Sequence, residues 1–278
     1  MSRRLSFGLL AVLSVLVGGT ASLVGQGVNN ASRAGCAALP SWQLLKAALT
    51  AARQEANGGL NLDMWGTVVD RDGVVCAVAF TGSDRTQQWP GSRVISAQKA
   101  NTANAFSLPA LALSTANLFT AVQPGGSLFG LQESNPVATE VAYSGNPSHY
   151  GQANDPMVGG RIGGVNVFGG GLGLYAAGGA LVGGIGVSGD TSCADHNIAY
   201  RTRSALNLDY VPAGVAGGNK RDNIIFDIVP QGGGDAAPGA GQMPGVSGSG
   251  FGHASCHGYN VAGNATSATF AAGLPPNK

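Results

Sequence analysis

The chain has 278 residues, of which 46 are glycine and 10% are charged, and its formal net charge is +1. So little charge of such balanced sign excludes a binder of nucleic acid or of an anionic membrane surface, because both need dense basic residues. The length suits one compact domain of about 200 residues joined to long irregular segments.

Residues 1–21 carry Arg3 and Arg4, an apolar run from Leu9 to Val17, and small residues at Gly19 and Ala21. This is the pattern of a secretory signal peptide, and the run is shorter than the roughly 20 residues that cross a bilayer. A periplasmic or secreted protein with no stable membrane anchor after signal removal is the expectation. Arg3-Arg4 raises export by the twin-arginine route, which Leu5-Ser6-Phe7 fits only in part.

Four cysteines, Cys36, Cys76, Cys193 and Cys256, suit an oxidising compartment and allow three pairings. Cys36 with Cys76 and Cys193 with Cys256 is the preferred set, since each bridge ties an irregular terminal segment to the core. None of the four forms a CxxC pair, and without clustered spacing a metal site or free thiols are the lesser reading.

From Pro40-Ser41 to about Ala56 the apolar stripe Leu45, Ala48, Leu49, Ala52 predicts a helix that Asn57-Gly58-Gly59 ends. Leu60 to Val69 and Val74 to Phe80 read as strands joined through Asp70-Arg71-Asp72-Gly73. A loop from Thr81 to Gly91 with Asp84, Arg85 and Trp89 leads to a helix from Ser92 to Phe106, and Ala110 to Val122 predicts a further short helix. Residues 133–167 form a long irregular segment with His149, Tyr150, Asn154, Asp155 and Arg161, either a lid or an oligomer contact. Leu172 to Ala177 and Ala180 to Val187 then make a hairpin through Gly178-Gly179, where both positions accept positive φ.

The helix that follows starts with Ser192 as N-cap and Asp195 three residues on, and Ile198, Ala199, Thr202, Ala205 and Leu206 form a face that packs on the sheet. Glycines through the hairpin predict close approach of a helix or a second subunit rather than direct ligand contact. Gly184-x-Gly186-x-x-Gly189 spells a dinucleotide fingerprint, but it lies inside a strand rather than in a strand-to-helix turn. Asn223 to Val229 predicts an added edge strand, and residues 230–278, rich in glycine and proline, read as a tail.

Two blocks, VVDRDGVVCAVAFTGSDRTQQWPGSRVISAQKANTANAF from Val68 to Phe106 and GGLGLYAAGGALVGGIGVSGDTSCADHNIA from Gly170 to Ala199, resemble the GlcG/HbpS family of haem-binding-like proteins. The first matches its opening hairpin and A-x-K-A-x-T-A helix, the second its closing GG-led hairpin and acidic helix start. The resemblance implies an α+β domain over residues 22–229, with an antiparallel sheet of about five strands flanked by helices in a profilin-like or PAS-like manner. Residues 133–167 are an insertion relative to short members.

It further implies haem or a related tetrapyrrole as ligand, and a homo-oligomer. Alternatives are a haem-degrading enzyme and a ligand-free oligomeric interaction protein. Candidate ligand-binding residues are Arg85, Trp89, Lys99, His149, Arg161 and His196, with His149 and His196 as iron ligands, since imidazole is a common axial ligand. Lys99 either meets a ligand carboxylate or covers apolar surface with its stem and keeps its amine in water. His196 reads as solvent-facing, and His253 and His257 as part of the tail. No Ser-His-Asp order or GxSxG supports hydrolytic chemistry.

Overall fold

The computed structural model describes residues 34–229, 245–258 and 260–278; the expected signal peptide and residues 230–244 lie outside them. In chain order the elements are α1 (Trp42–Arg53), β1 (Trp65–Asp70), β2 (Val75–Phe80), α2 (Ser92–Phe106), α3 (Thr139–Ala142), β3 (Gly171–Ala176), β4 (Ala180–Ser188), α4 (Ser192–Ala205), β5 (Ile228–Val229), β6 (Val246–Ser247) and α5 (Val261–Ala272). Four strands form one antiparallel sheet in the order β2-β1-β4-β3, and β5 and β6 pair in a separate ribbon. The fold is α+β, with a four-stranded main sheet where about five strands were expected. Asn223 to Val229 supplies only the short β5, and it pairs with β6 instead of the sheet edge.

Ser41 caps α1 by accepting from the Leu44 amide, and Leu45, Leu49 and Ala52 point into the core. The strand expected from Leu60 begins only at Trp65. The amides of Leu60 and Leu62 are taken by the Asp190 carboxylate at 2.8 and 3.0 Å, so this stretch has no strand ladder. The first hairpin turns at Gly73 (φ 76°), where Asp70 Oδ1 accepts from the amides of Asp72 and Val74. The second turns at Gly178 and Gly179, both at positive φ.

Period-two alternation gives the sheet two unlike faces. Val68, Leu172, Leu174, Ile185 and Val187 face α1 and α4, where they meet Leu45, Leu49, Ile198 and Ala199. Gly171, Gly184 and Gly186 face α2. A Cβ at Gly184 would lie 2.4 Å from the Ala100 carbonyl oxygen, and one at Gly186 would lie 1.9 Å from that of Ser96. The glycines therefore serve close approach of a helix backbone, as expected.

Helix α4 starts one residue earlier than expected in its capping: Thr191 is the N-cap and accepts from the Ala194 amide. It is buried on nearly every side, because the chain from Asp222 to Ile224 and α5 cover the flank away from the sheet. Disulfides join Cys36 to Cys76 and Cys193 to Cys256. The second bridge holds a C-terminal segment that is folded where the sequence reads as tail. Asn260 caps α5, Leu274 reaches the main core, and His253 is buried. Small residues build α5, so it shows no broad apolar stripe in sequence. Ala110 to Val122, expected to be helical, forms two 3₁₀ turns instead, Thr115–Leu118 and Thr120–Val122.

Candidate functional site

A cleft of about 230 Å³ opens where the Thr81–Gly91 loop, the start of α2 and the 133–167 segment converge, lined by Trp65, Arg85, Arg93, Val94, Tyr143 and Tyr150 together with Pro90 and Gly91. Its floor is fixed. Trp65 is buried in β1 and donates its indole N–H to the Trp89 carbonyl at 3.1 Å, which ties the loop to the sheet. Arg93, in the first turn of α2, pairs through Nε with Asp155 Oδ2 at 2.9 Å and donates to the Ala142 carbonyl at 2.7 Å. Its guanidinium lies 3.6 Å from the Tyr150 ring centroid, so the same cation that organises the 133–167 segment also sets the aromatic wall.

Asp155 accepts from Arg93 and from the amides of Gly151 and Met157, and this saturation suits a carboxylate fully removed from water. The loop on the other side is tied internally: Asp84 accepts from the side chain and amide of Thr86, which hold its carboxyl below the usual range. Gln88 donates to the Asp84 carbonyl and accepts from the Gly82 amide. On this scaffold Arg85 is exposed and forms no salt bridge among the described residues, and Trp89 is 53% exposed. The chemistry offered is the Arg85 guanidinium, beside that of Arg93 already paired with Asp155, and several aromatic faces, suited to a flat ligand that carries a carboxylate.

The sequence candidates divide. Arg85 lines the cleft, Trp89 sits in its loop, and His149 ends the short 3₁₀ turn Pro147–His149 directly before Tyr150, exposed to solvent. Arg161 is also exposed, but it bridges to Val74 beside the β2 edge and is absent from the cleft lining. Lys99 departs from both roles expected of it. Its amine is buried under Gly170 and pairs with Asp195 Oδ2 at 2.7 Å, while Asp195 Oδ1 accepts from the Asp190 amide. Burial lifts the Asp195 carboxyl to about 6 even though Lys99 pulls it down.

His196, expected to face solvent, is fully buried, and its Nε2 accepts from the Ile224 amide at 3.1 Å; burial lowers its pKa to about 3. His253 is likewise buried, donating from Nδ1 to the Ala254 carbonyl and accepting at Nε2 from the Gly169 amide. Of the two proposed iron ligands, His149 is the one a ligand in solvent can reach without unfolding. Sequence reasoning missed Trp65, Arg93 and Tyr143 as cleft residues. An arginine opening a helix just after Trp89-Pro90 was the available signal for Arg93.

A second hollow of about 290 Å³ lies between the end of α1 and α5, lined by Arg53, Asn57, Asp190 and Phe270 among others. Two of its charged groups are engaged within the fold: Arg53 binds the carbonyls of Asn61 and Leu62, and Asp190 binds the amides of Leu60, Leu62 and Thr191.

An antiparallel sheet with a glycine-lined face under α2 and a closing hairpin that feeds α4 defines an α+β domain. Residues 41–203 match the family described as haem degrading protein HbpS-like, and the chain belongs to that family. Among solved structures, that of a PduOC:haem complex is 24% identical, covers 60% of this chain and 91% of its own, and gives a TM-score of 0.42. Klebsiella pneumoniae protein ORFY is 24% identical over 60% of this chain and 90% of its own, with a TM-score of 0.40. A double mutant of Streptomyces reticuli HbpS is 17% identical over 72% of this chain and 98% of its own, with a TM-score of 0.34. No curated protein matches the chain.

Proposed function

We propose that the protein is an exported binder of haem or a related tetrapyrrole, held at the Arg85 cleft. The observation that supports this reading is the meeting of the Arg85 guanidinium, which forms no salt bridge among the described residues, with the rings of Tyr143, Tyr150 and Trp65, in a chain of the HbpS-like family. Arg85 would take a propionate and the rings would stack on the macrocycle. His149 is the imidazole at hand for the iron. At about 230 Å³ the cleft falls below the roughly 300–1,000 Å³ of pockets that enclose a small ligand, so it takes one edge of a tetrapyrrole and leaves the other outside. Two disulfides support an oxidising compartment, and no helix among the described residues is long and apolar enough to cross a membrane. A homo-oligomer belongs to the same reading, with a dimer or larger particle expected by light scattering.

Titration with haem tests the reading: a saturable Soret shift is expected, and replacing His149 by Ala shifts or weakens it. An unchanged spectrum in the His149→Ala variant removes that imidazole from the iron. The family's description favours one further reading, haem degradation. That activity requires bound haem to bleach with reductant or peroxide faster than a free-haem control; equal rates leave binding alone.

A further inference from the structure

The first disulfide lies against a buried carboxylate. Cys36 sits in the 3₁₀ turn Ala34–Ala38, Cys76 in β2, and Asp70 at the end of β1; their two Sγ atoms and a carboxylate oxygen all lie within 4.8 Å of one another. Asp70 is 3% exposed. Its Oδ1 accepts from the amides of Asp72 and Val74, both at 2.9 Å, while its Oδ2 accepts no hydrogen bond among the described residues. That oxygen faces Gly35, where a Cβ would come within 2.4 Å of it. A buried carboxylate is stabilised by a partner of opposite charge, and here its neighbours are a pair of sulfurs.

We propose that reduction of the Cys36–Cys76 bridge converts this corner into a metal site, in which two thiolates and the Asp70 carboxylate hold a borderline-soft divalent cation such as Zn²⁺. A dithiol reductant supplies two electrons and two protons, breaks the S–S bond and is itself oxidised to a disulfide. Cation binding then releases the two thiol protons to solvent and forms two S–metal bonds and one O–metal bond. Both cysteines are only half-buried, so the reductant has access. Bonds of roughly 2.0–2.3 Å in a tetrahedral Zn²⁺ site space the ligands by under about 4 Å, a small adjustment from the present geometry. Three protein ligands leave the fourth position to water. Sequence spacing hides the site, because the hairpin and the preceding turn bring together residues far apart in the chain. The proposal is independent of the haem reading.

Cobalt(II) titration of a Cys193→Ala/Cys256→Ala variant tests it, with the remaining bridge either intact or reduced by a phosphine. One Co²⁺ per chain is expected only after reduction, with thiolate-to-cobalt charge-transfer absorption in the near ultraviolet that Zn²⁺ abolishes. Asp70→Asn keeps an oxygen for the two turn amides and loses only the charge, so Co²⁺ affinity should fall at least tenfold; a smaller loss overturns the carboxylate's part. Should the double-alanine background fail to fold, reduced wild type is compared with Cys36→Ser/Cys76→Ser as the blank. Equal cobalt absorption in protein and blank, no absorption in reduced folded protein, or a reduced chain that circular dichroism shows unfolded and cobalt does not restore, each overturns the proposal.

Discussion

The two faces of the main sheet are built by opposite means. Toward α1 and α4 the sheet presents Leu172, Leu174, Ile185 and Val187, and contact is made by interlocking side chains. Toward α2, strands β3 and β4 present glycines, and contact is made by a helix backbone lying almost on the strands. A side-chain interface tolerates the loss of a methyl group, whereas a backbone interface tolerates no added one. The close approach also buries Lys99 against Asp195 and fixes the start of α2, from which Arg93 shapes the cleft.

The largest expected effect is at the α2 face. Lys99→Met leaves the Asp195 carboxylate buried without its cation, a loss of about 3–5 kcal/mol of unfolding free energy at pH 7 by urea denaturation. Because burial already lifts that carboxyl to about 6, it protonates in acid, and the variant's deficit should shrink when measured at pH 5. A deficit that is constant with pH would mean the charge is not the cause. Gly186→Ala, whose methyl would collide with the Ser96 carbonyl, should cost about 3 kcal/mol, against about 1 kcal/mol for Ile185→Val one residue away on the other face. Equal losses would dissolve the distinction between the faces.

A third expectation concerns acid. Burial lowers His196 to about 3 and His253 to about 4, so the native state stays unprotonated at both while the unfolded chain takes up protons near 6.5. Their contribution is full above pH 6.5 and is lost as pH falls toward those folded values. Asp195 acts in the opposite sense between 3.8 and about 6, and two histidines outweigh it. The urea midpoint should therefore fall from pH 7 to pH 5, and less steeply in His253→Gln; parallel slopes would contradict this. The smallest stability effect is expected at Arg85→Ala, within about 0.5 kcal/mol of wild type, because the side chain is exposed and forms no salt bridge among the described residues.

How far the sequence led follows from the same contrast. Both hairpins, the helices α1, α2 and α4 and the close approach at the glycines were legible, because period-two alternation, capping residues and Gly-Gly turns are local signals. Lys99 and His196 were misread because a polar side chain looks alike in sequence whether it faces water or a buried partner. Their partners, Asp195 and the Ile224 amide, are supplied by distant chain. The C-terminal helix was hidden by its small residues, and the Arg93–Asp155 pair by a separation of 62 residues. Arg85 and Trp89 stood out as a charged and an aromatic residue in one loop, which is where scaffolds carry ligand contacts.

In the proposed function the rim, and not the buried polar groups, meets the ligand. Haem titration of wild type beside an Arg85→Ala/Trp89→Ala double variant, followed at the Soret band, tests this most directly. Affinity at least tenfold weaker in the double variant, with an unchanged urea midpoint, is the predicted result; equal affinity would place the ligand elsewhere on the molecule.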